Sequence, residues 1–151
     1  MSLINPISII RILSSILLIV AAFLAACIPV SAIYGEAVLT FLYPVLLTIT
    51  LVAILRLASR KYDKEKISNR DTFLIVTLAW MMISLVGALP YMFSGTIPSF
   101  INAFFESASG FTTTGASILT EVENLPHSIL FWRSLTHWIG GIGIIVLVIL
   151  V

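Results

Sequence analysis

The run Gly110-Phe111-Thr112-Thr113-Thr114-Gly115-Ala116-Ser117 is small, rich in hydroxyls and free of charge. What it offers is oxygen, from backbone carbonyls and from threonine and serine side chains. Such ligands can replace a cation's water shell when small residues let the chain aim its carbonyls inward. Gly115 admits a backbone geometry denied to any residue with a Cβ. Just before this run, residues 100–109 are apolar and helix-like, but far too short to cross roughly 30 Å of hydrocarbon. The C-terminal end of a helix carries a partial negative charge, which favours a dehydrated cation beyond it.

Three ionisable residues flank the run. Glu106 lies on the short helix, and an acid at membrane depth points to function. It either holds the loop and tunes its field, or simply accepts hydrogen bonds from nearby backbone N–H groups; both are support rather than catalysis. Arg133 and His137 stand at i and i+4 on the next apolar stretch. Arg133 can pair with Glu106, Glu121 or Glu123, or reach the headgroups. A structural pair or an interfacial arginine is favoured over a place in the ion path. No second metal ligand stands at helical spacing from His137.

Enzyme motifs are missing: there is no His-Glu-x-x-His, no Walker loop and no glycine-rich dinucleotide turn. Ser109-Gly110 with His137 faintly resembles an intramembrane serine protease dyad, but a threonine-rich run follows where a helix should continue. Leu24-Ala25-Ala26-Cys27 looks like a lipoprotein cleavage signal. Its only early charge is Arg11, and three more apolar stretches follow, so Cys27 reads as a core residue.

The rest of the chain must position these residues, and its composition says where. Of 151 residues, 60% are hydrophobic and only 10% charged, against about 25% charged in a typical soluble domain. Mean hydropathy is +1.14. These values exclude a disordered chain, a nucleic-acid binder and nearly every soluble enzyme. A net charge of +1 gives no electrostatic basis for a polyanionic partner. The chain predicts an all-α integral membrane protein in contact with lipid.

Four apolar stretches, 7–33, 38–57, 72–93 and 128–151, are each long enough to span as a helix. The division is two N-terminal helices over 1–57, a charged loop over 58–71, and a membrane–pore–membrane unit over 72–151. That unit comprises a helix at 72–93, a re-entrant pore helix at 100–109, a strand-like filter at 112–117 and a helix at 128–151. Six of the eight basic residues, Arg56, Arg60, Lys61, Lys64, Lys66 and Arg70, fall in or beside the charged loop. The positive-inside rule makes this loop and the N-terminus cytoplasmic, and turns residues 94–127 outward. Arg11 agrees, while Arg133 does not. Asp63, Lys64, Glu65 and Lys66 read as a solvated stretch. Tyr91, Trp132 and Trp138 fit interfacial belts. Gly140, Gly141 and Gly143 suggest close helix approach, and Pro90 and Pro126 read as helix punctuation.

The strings Phe104-Phe105-Glu106-Ser107, Gly110 to Ala116, Leu130-Phe131-Trp132-Arg133 and Trp138 to Leu147 closely resemble the first pore repeat of TrkH-type potassium uptake proteins, in the Trk/Ktr/HKT superfamily. Ser68-Asn69-Arg70-Asp71-Thr72 and Gly87-Ala88-Leu89-Pro90 are similar to the helix that precedes it. The resemblance implies four such repeats around one pore, with the first two helices here as an extra pair in front. It implies potassium as the transported ion, with the carbonyls of Thr113 and Thr114 as its contacts. Gly115 would set selectivity, Thr112 and Ala116 would flank the filter, and Glu106 and Arg133 would support it. It also implies a homodimer gated by a cytosolic nucleotide-binding ring subunit, in a bacterial or archaeal inner membrane. Coupling to protons or sodium stays open. Because one repeat makes no closed pore, the expectation is a fragment of a longer protein; the alternative is a one-repeat protein that oligomerises. The competing functional class is a non-transporting membrane scaffold or assembly subunit.

Overall fold

In a computed structural model, residues 6–60 and 68–150 are described, and they form five helices. These are α1 (Pro6–Ile33), α2 (Leu39–Ala58), α3 (Asn69–Phe93), α4 (Phe100–Phe111) and α5 (His127–Leu150). By length and composition, α1, α2 and α3 from Arg70 onward are able to cross a membrane. Lys61, Asp63, Lys64, Glu65, Lys66 and Val151 lie outside the described residues.

Several boundaries differ from the sequence expectation. The third helix starts at Asn69 rather than at 72, because Ser68 caps it. Ser68 Oγ accepts from the Asp71 N–H at 3.4 Å, and the Asp71 carboxylate accepts from the Ser68 N–H at 2.9 Å. This reciprocal box satisfies two donors that a helix start leaves open. The short helix α4 runs two residues past 109 to Phe111. The expected strand at 112–117 is a turn followed by irregular chain, and no strand occurs among the described residues.

α1 and α2 form an antiparallel hairpin, turned at Gly35 with φ +68°. At its open end Arg11 Nη2 donates to Ser59 O at 3.0 Å, tying the start of α1 to the end of α2. α3 packs across this hairpin, and α4 lies between α3 and α5. The core runs through all five helices, from Leu24 of α1 and Phe41 of α2 to Tyr91, Ala103 and Trp132. Outward faces are apolar too: Leu46, Ile54, Phe73 and Met81 are exposed. Such a surface is costly in water and natural against lipid tails.

Two of the three aromatic residues expected at the membrane surface turn inward. Trp132 is completely buried, edge-on to Phe41 and Phe111 with ring centres 6.5 and 6.2 Å away. Its indole N–H donates to Gly87 O at 3.0 Å. One side chain of α5 therefore touches α2, α3 and α4. Tyr91 is also fully buried, while Trp138 stays exposed beside Phe23.

Close approach seats α4. A Cβ on Gly140 of α5 would run into the carbonyl of Phe111, with the Phe111 carbonyl carbon only 2.7 Å away. A Cβ on Gly87 of α3 would meet Ser107 Oγ and the Phe111 ring. The C-terminus of α4 thus rests on backbone from both neighbours. Gly140 lies roughly 20 Å along α5 from His127, at about 1.5 Å per residue. Gly87 lies roughly 9 Å before the end of α3 on the same basis.

Candidate functional site

α4 ends in a left-handed residue, Thr113, with φ +56°. The Thr113 N–H donates to Gly110 O and the Thr114 N–H to Ser109 O, both at 3.0 Å. This pair of bonds is the Schellman closure of a helix, which normally places glycine at the left-handed position. A threonine there crowds its Cβ against backbone and stores on the order of 1–3 kcal/mol of strain. Side chains reinforce the closure. Thr112 Oγ1 donates to Ala108 O at 2.8 Å and lies 2.8 Å from Thr114 Oγ1. Since the Thr112 proton goes to Ala108, the Thr114 hydroxyl donates in that second contact.

Peptide planarity then fixes carbonyl directions. In a trans peptide, an N–H and the preceding C=O point opposite ways, and no cis bond occurs among the described residues. With the N–H groups of Thr113 and Thr114 turned back onto α4, the carbonyls of Thr112 and Thr113 point away from it. Among the described residues, no hydrogen bond ends on the carbonyl oxygens of Thr112, Thr113, Thr114 or Gly115. The next carbonyl is occupied: Ser109 Oγ donates to Ala116 O at 2.5 Å. Gly115 is left-handed at φ +76°, with open space where a Cβ would stand. The concave surface here is lined by Phe105, Ala108, Ser109, Thr112, Thr114 and Ala116.

Glu106 sits behind the run, only 3% exposed. Its carboxylate accepts from Ser117 Oγ at 2.9 Å, from the Ile118 N–H at 3.1 Å and from Arg133 Nε at 2.9 Å. Of the partners open to Arg133 in the sequence, the structure brings it to Glu106. Glu121 instead accepts from Asn124 Nδ2 at 2.8 Å. A carboxylate this buried requires both the charge and the donors, since water cannot supply them.

Ser109 and His137 do not form a nucleophile–base pair. Ser109 donates to Ala116 O, while His137 Nδ1 lies 2.9 Å from Arg133 O. Among the described residues, no group of three or more His, Cys, Asp or Glu side chains is placed to hold a metal.

The family model for TrkH, described as a cation transport protein, matches residues 39–151. The chain belongs to the TrkH family. Over 88 residues it is 50% identical to the Trk system potassium uptake protein TrkH of Escherichia coli K12, covering 58% of this chain and 18% of that relative. Over 145 residues it is 41% identical to an uncharacterized cation transporter of Methanocaldococcus jannaschii, covering 95% of this chain and 30% of that relative. TrkH of Halomonas elongata is 36% identical over 143 residues, 93% of this chain and 30% of its own length. The chain thus spans less than a third of each of these relatives.

One contact in this TrkH-family chain escapes any reading of the sequence. Glu36, in the turn between α1 and α2, caps the start of α5. Its carboxylate accepts from the backbone N–H groups of His127 at 2.6 Å and Ser128 at 3.0 Å, and from the Ser128 hydroxyl. His127 Nδ1 lies 3.3 Å away, and the His127 ring stacks on Tyr34 at 4.1 Å. Burial alone would raise the Glu36 pKa, but the hydrogen bonds from Ser128 and His127 outweigh it and hold the carboxyl below its ordinary 4.5. The only sequence signal was an acid beside a tight turn, ninety-odd residues from its partner.

Proposed function

We propose that this chain is part of a potassium transporter, and that the carbonyls of Thr112, Thr113, Thr114 and Gly115 are ligands for the passing ion. The observation that carries this reading is the row of four consecutive carbonyls without a hydrogen-bond partner among the described residues, two of them turned away from α4 by planarity. Potassium in water is surrounded by oxygen, and a neutral carbonyl row returns that oxygen without trapping the ion by charge. The side chains of Glu106 and Arg133 brace the site, and Ala116, its carbonyl bonded by Ser109, bounds it.

In this reading α5 is the fourth membrane span and α4 is re-entrant. The seating of Phe111 against Gly140 of α5 and Gly87 of α3 supports that, because α4 then ends beside the interior of both helices rather than at their ends. Irregular backbone at that depth is tolerable where it lines a watery path. The N-terminus lies in the cytoplasm and the protein sits in the inner membrane. Three further repeats or further copies of the chain close the pore. The designation of relatives as parts of a Trk system supports a role with partners, and the partners in this reading are a second copy of the chain and a cytosolic nucleotide-binding regulatory subunit. Chemistry on covalent bonds has no role.

The test is rubidium uptake by cells lacking their own potassium uptake, with the natural gene expressed through its own stop codon and Gly115→Ser alongside. Expected is uptake that discriminates against sodium and loses discrimination in the serine variant. A membrane-inserted product with no uptake, even with the cytosolic partner supplied, would reject transport and favour a scaffold.

A further inference from the structure

We infer that Ser109 is a positioning residue that sets the length of the ion-binding row, closing it at Gly115 and withdrawing Ala116 from it. The inference rests on the filter reading above and goes beyond it by assigning a task to a side chain outside the row.

Ser109 holds the run at two points. Its backbone carbonyl accepts the Thr114 N–H at 3.0 Å, and its hydroxyl donates to the Ala116 carbonyl at 2.5 Å. Between these two anchors lies Gly115, whose backbone touches nothing a Cβ would meet and whose φ of +76° is left-handed. A glycine in open space has no restraint of its own, so its conformation depends on what holds its neighbours. Ser109, 7% exposed, is attached to a helix seated on the backbone of α3 and α5. The clamp is therefore anchored to a helix wedged between two neighbours.

The hydroxyl also selects among carbonyls. Upstream, the oxygens of Thr112 to Gly115 accept no hydrogen bond among the described residues; downstream, Ser117 is drawn to Glu106. The Ala116 carbonyl lies between the two regimes, and Ser109 turns it toward α4. An ion leaving Gly115 then finds the next carbonyl, that of Ala116, already bonded. Losing the hydroxyl frees Ala116 O to compete for the ion and frees Gly115 to fluctuate. Both changes act on ion affinity and selectivity before they act on assembly.

The experiment compares wild type, Ser109→Ala, Ser109→Thr and Ser109→Cys in the natural full-length protein, with membrane abundance measured for each. The readouts are rubidium KM, maximal rate and inhibition by sodium. Expected for Ser109→Ala is a change in KM and a loss of rubidium-over-sodium discrimination of about tenfold, the equivalent of one 1.4 kcal/mol step. Maximal rate per inserted molecule stays within about twofold, on the logic that a positioning loss need not slow turnover. Ser109→Thr, which keeps the hydroxyl, restores discrimination, and Ser109→Cys, a weak donor, falls between. Wild-type discrimination in Ser109→Ala would overturn the inference. If Ser109→Ala fails to insert, full discrimination in Ser109→Cys would overturn it instead. Absence of uptake in wild type would reject the filter reading itself, a result distinct from either.

Discussion

Thr113 occupies backbone space that glycine would occupy without strain. The strain persists because α4 and the Thr112–Thr114 hydroxyl pair over-determine the turn around it. Stored strain beside open carbonyls implies a trade between stability and function. Thr113→Gly is predicted to stabilise the purified natural protein by about 1 kcal/mol, the relief of the left-handed penalty less glycine's extra entropy. It is also predicted to weaken discrimination between rubidium and sodium, because a glycine lets the Thr113 carbonyl wander. Thermal unfolding in detergent and uptake in cells check the two halves separately. A variant that is no more stable and equally selective would show that the threonine is unstrained and its rigidity unused.

At the scale of elements, the helices were legible and their mutual fastenings were not. Hydropathy marks four long apolar stretches because a membrane leaves the backbone few alternatives to a helix. α4 was legible as well, though its last turn was not: Gly110 reads as a breaker, yet it is the residue that lets Thr136 approach. Trp132 looked interfacial because an aromatic near a helix end fits a membrane belt and a core equally well. The Glu36 cap was hidden because sequence spacing says nothing about partners so far apart. That cap carries a pH prediction. A carboxyl whose folded pKa lies below 4.5 contributes stability that is fully present above 4.5 and is lost as pH falls through the lower folded value. Thermal unfolding between pH 6 and 3 should therefore show wild type losing stability toward the acid end. Glu36→Gln should start about 1 kcal/mol lower, the usual worth of a helix N-cap, and lose less on acidification. Parallel pH profiles for the two proteins would remove Glu36 as the group responsible.

For the whole molecule the decisive quantity is which end faces which compartment. Arg11, Arg56 and Arg60 gather where α1 begins and α2 ends, a junction fixed by the Arg11 bond to Ser59 O. Arg70, in the first turn of α3, falls at this end once α3 runs antiparallel to α2. The opposite end carries Glu36 against the start of α5, and the chain through Glu121, Glu123 and Asn124 leads into it. Arginine thus gathers at one end and is missing from the described residues at the other, the asymmetry that the positive-inside rule converts into orientation. Arg133 does not oppose this, because its charge is matched by Glu106 inside the fold. Cys27 is the sole cysteine of these 151 residues and is buried, so the labelling background is the natural protein with Cys27 and any cysteine elsewhere in it replaced by alanine. In that background, Asn124→Cys should react with a membrane-impermeant maleimide in intact cells. Arg60→Cys should react only after the membrane is opened, and both positions are exposed enough to be labelled. Reversed labelling would invert the orientation and turn the basic end outward. Labelling of both from outside would mean that the chain between them does not cross the membrane an odd number of times, and would remove α3 from the membrane as a single span.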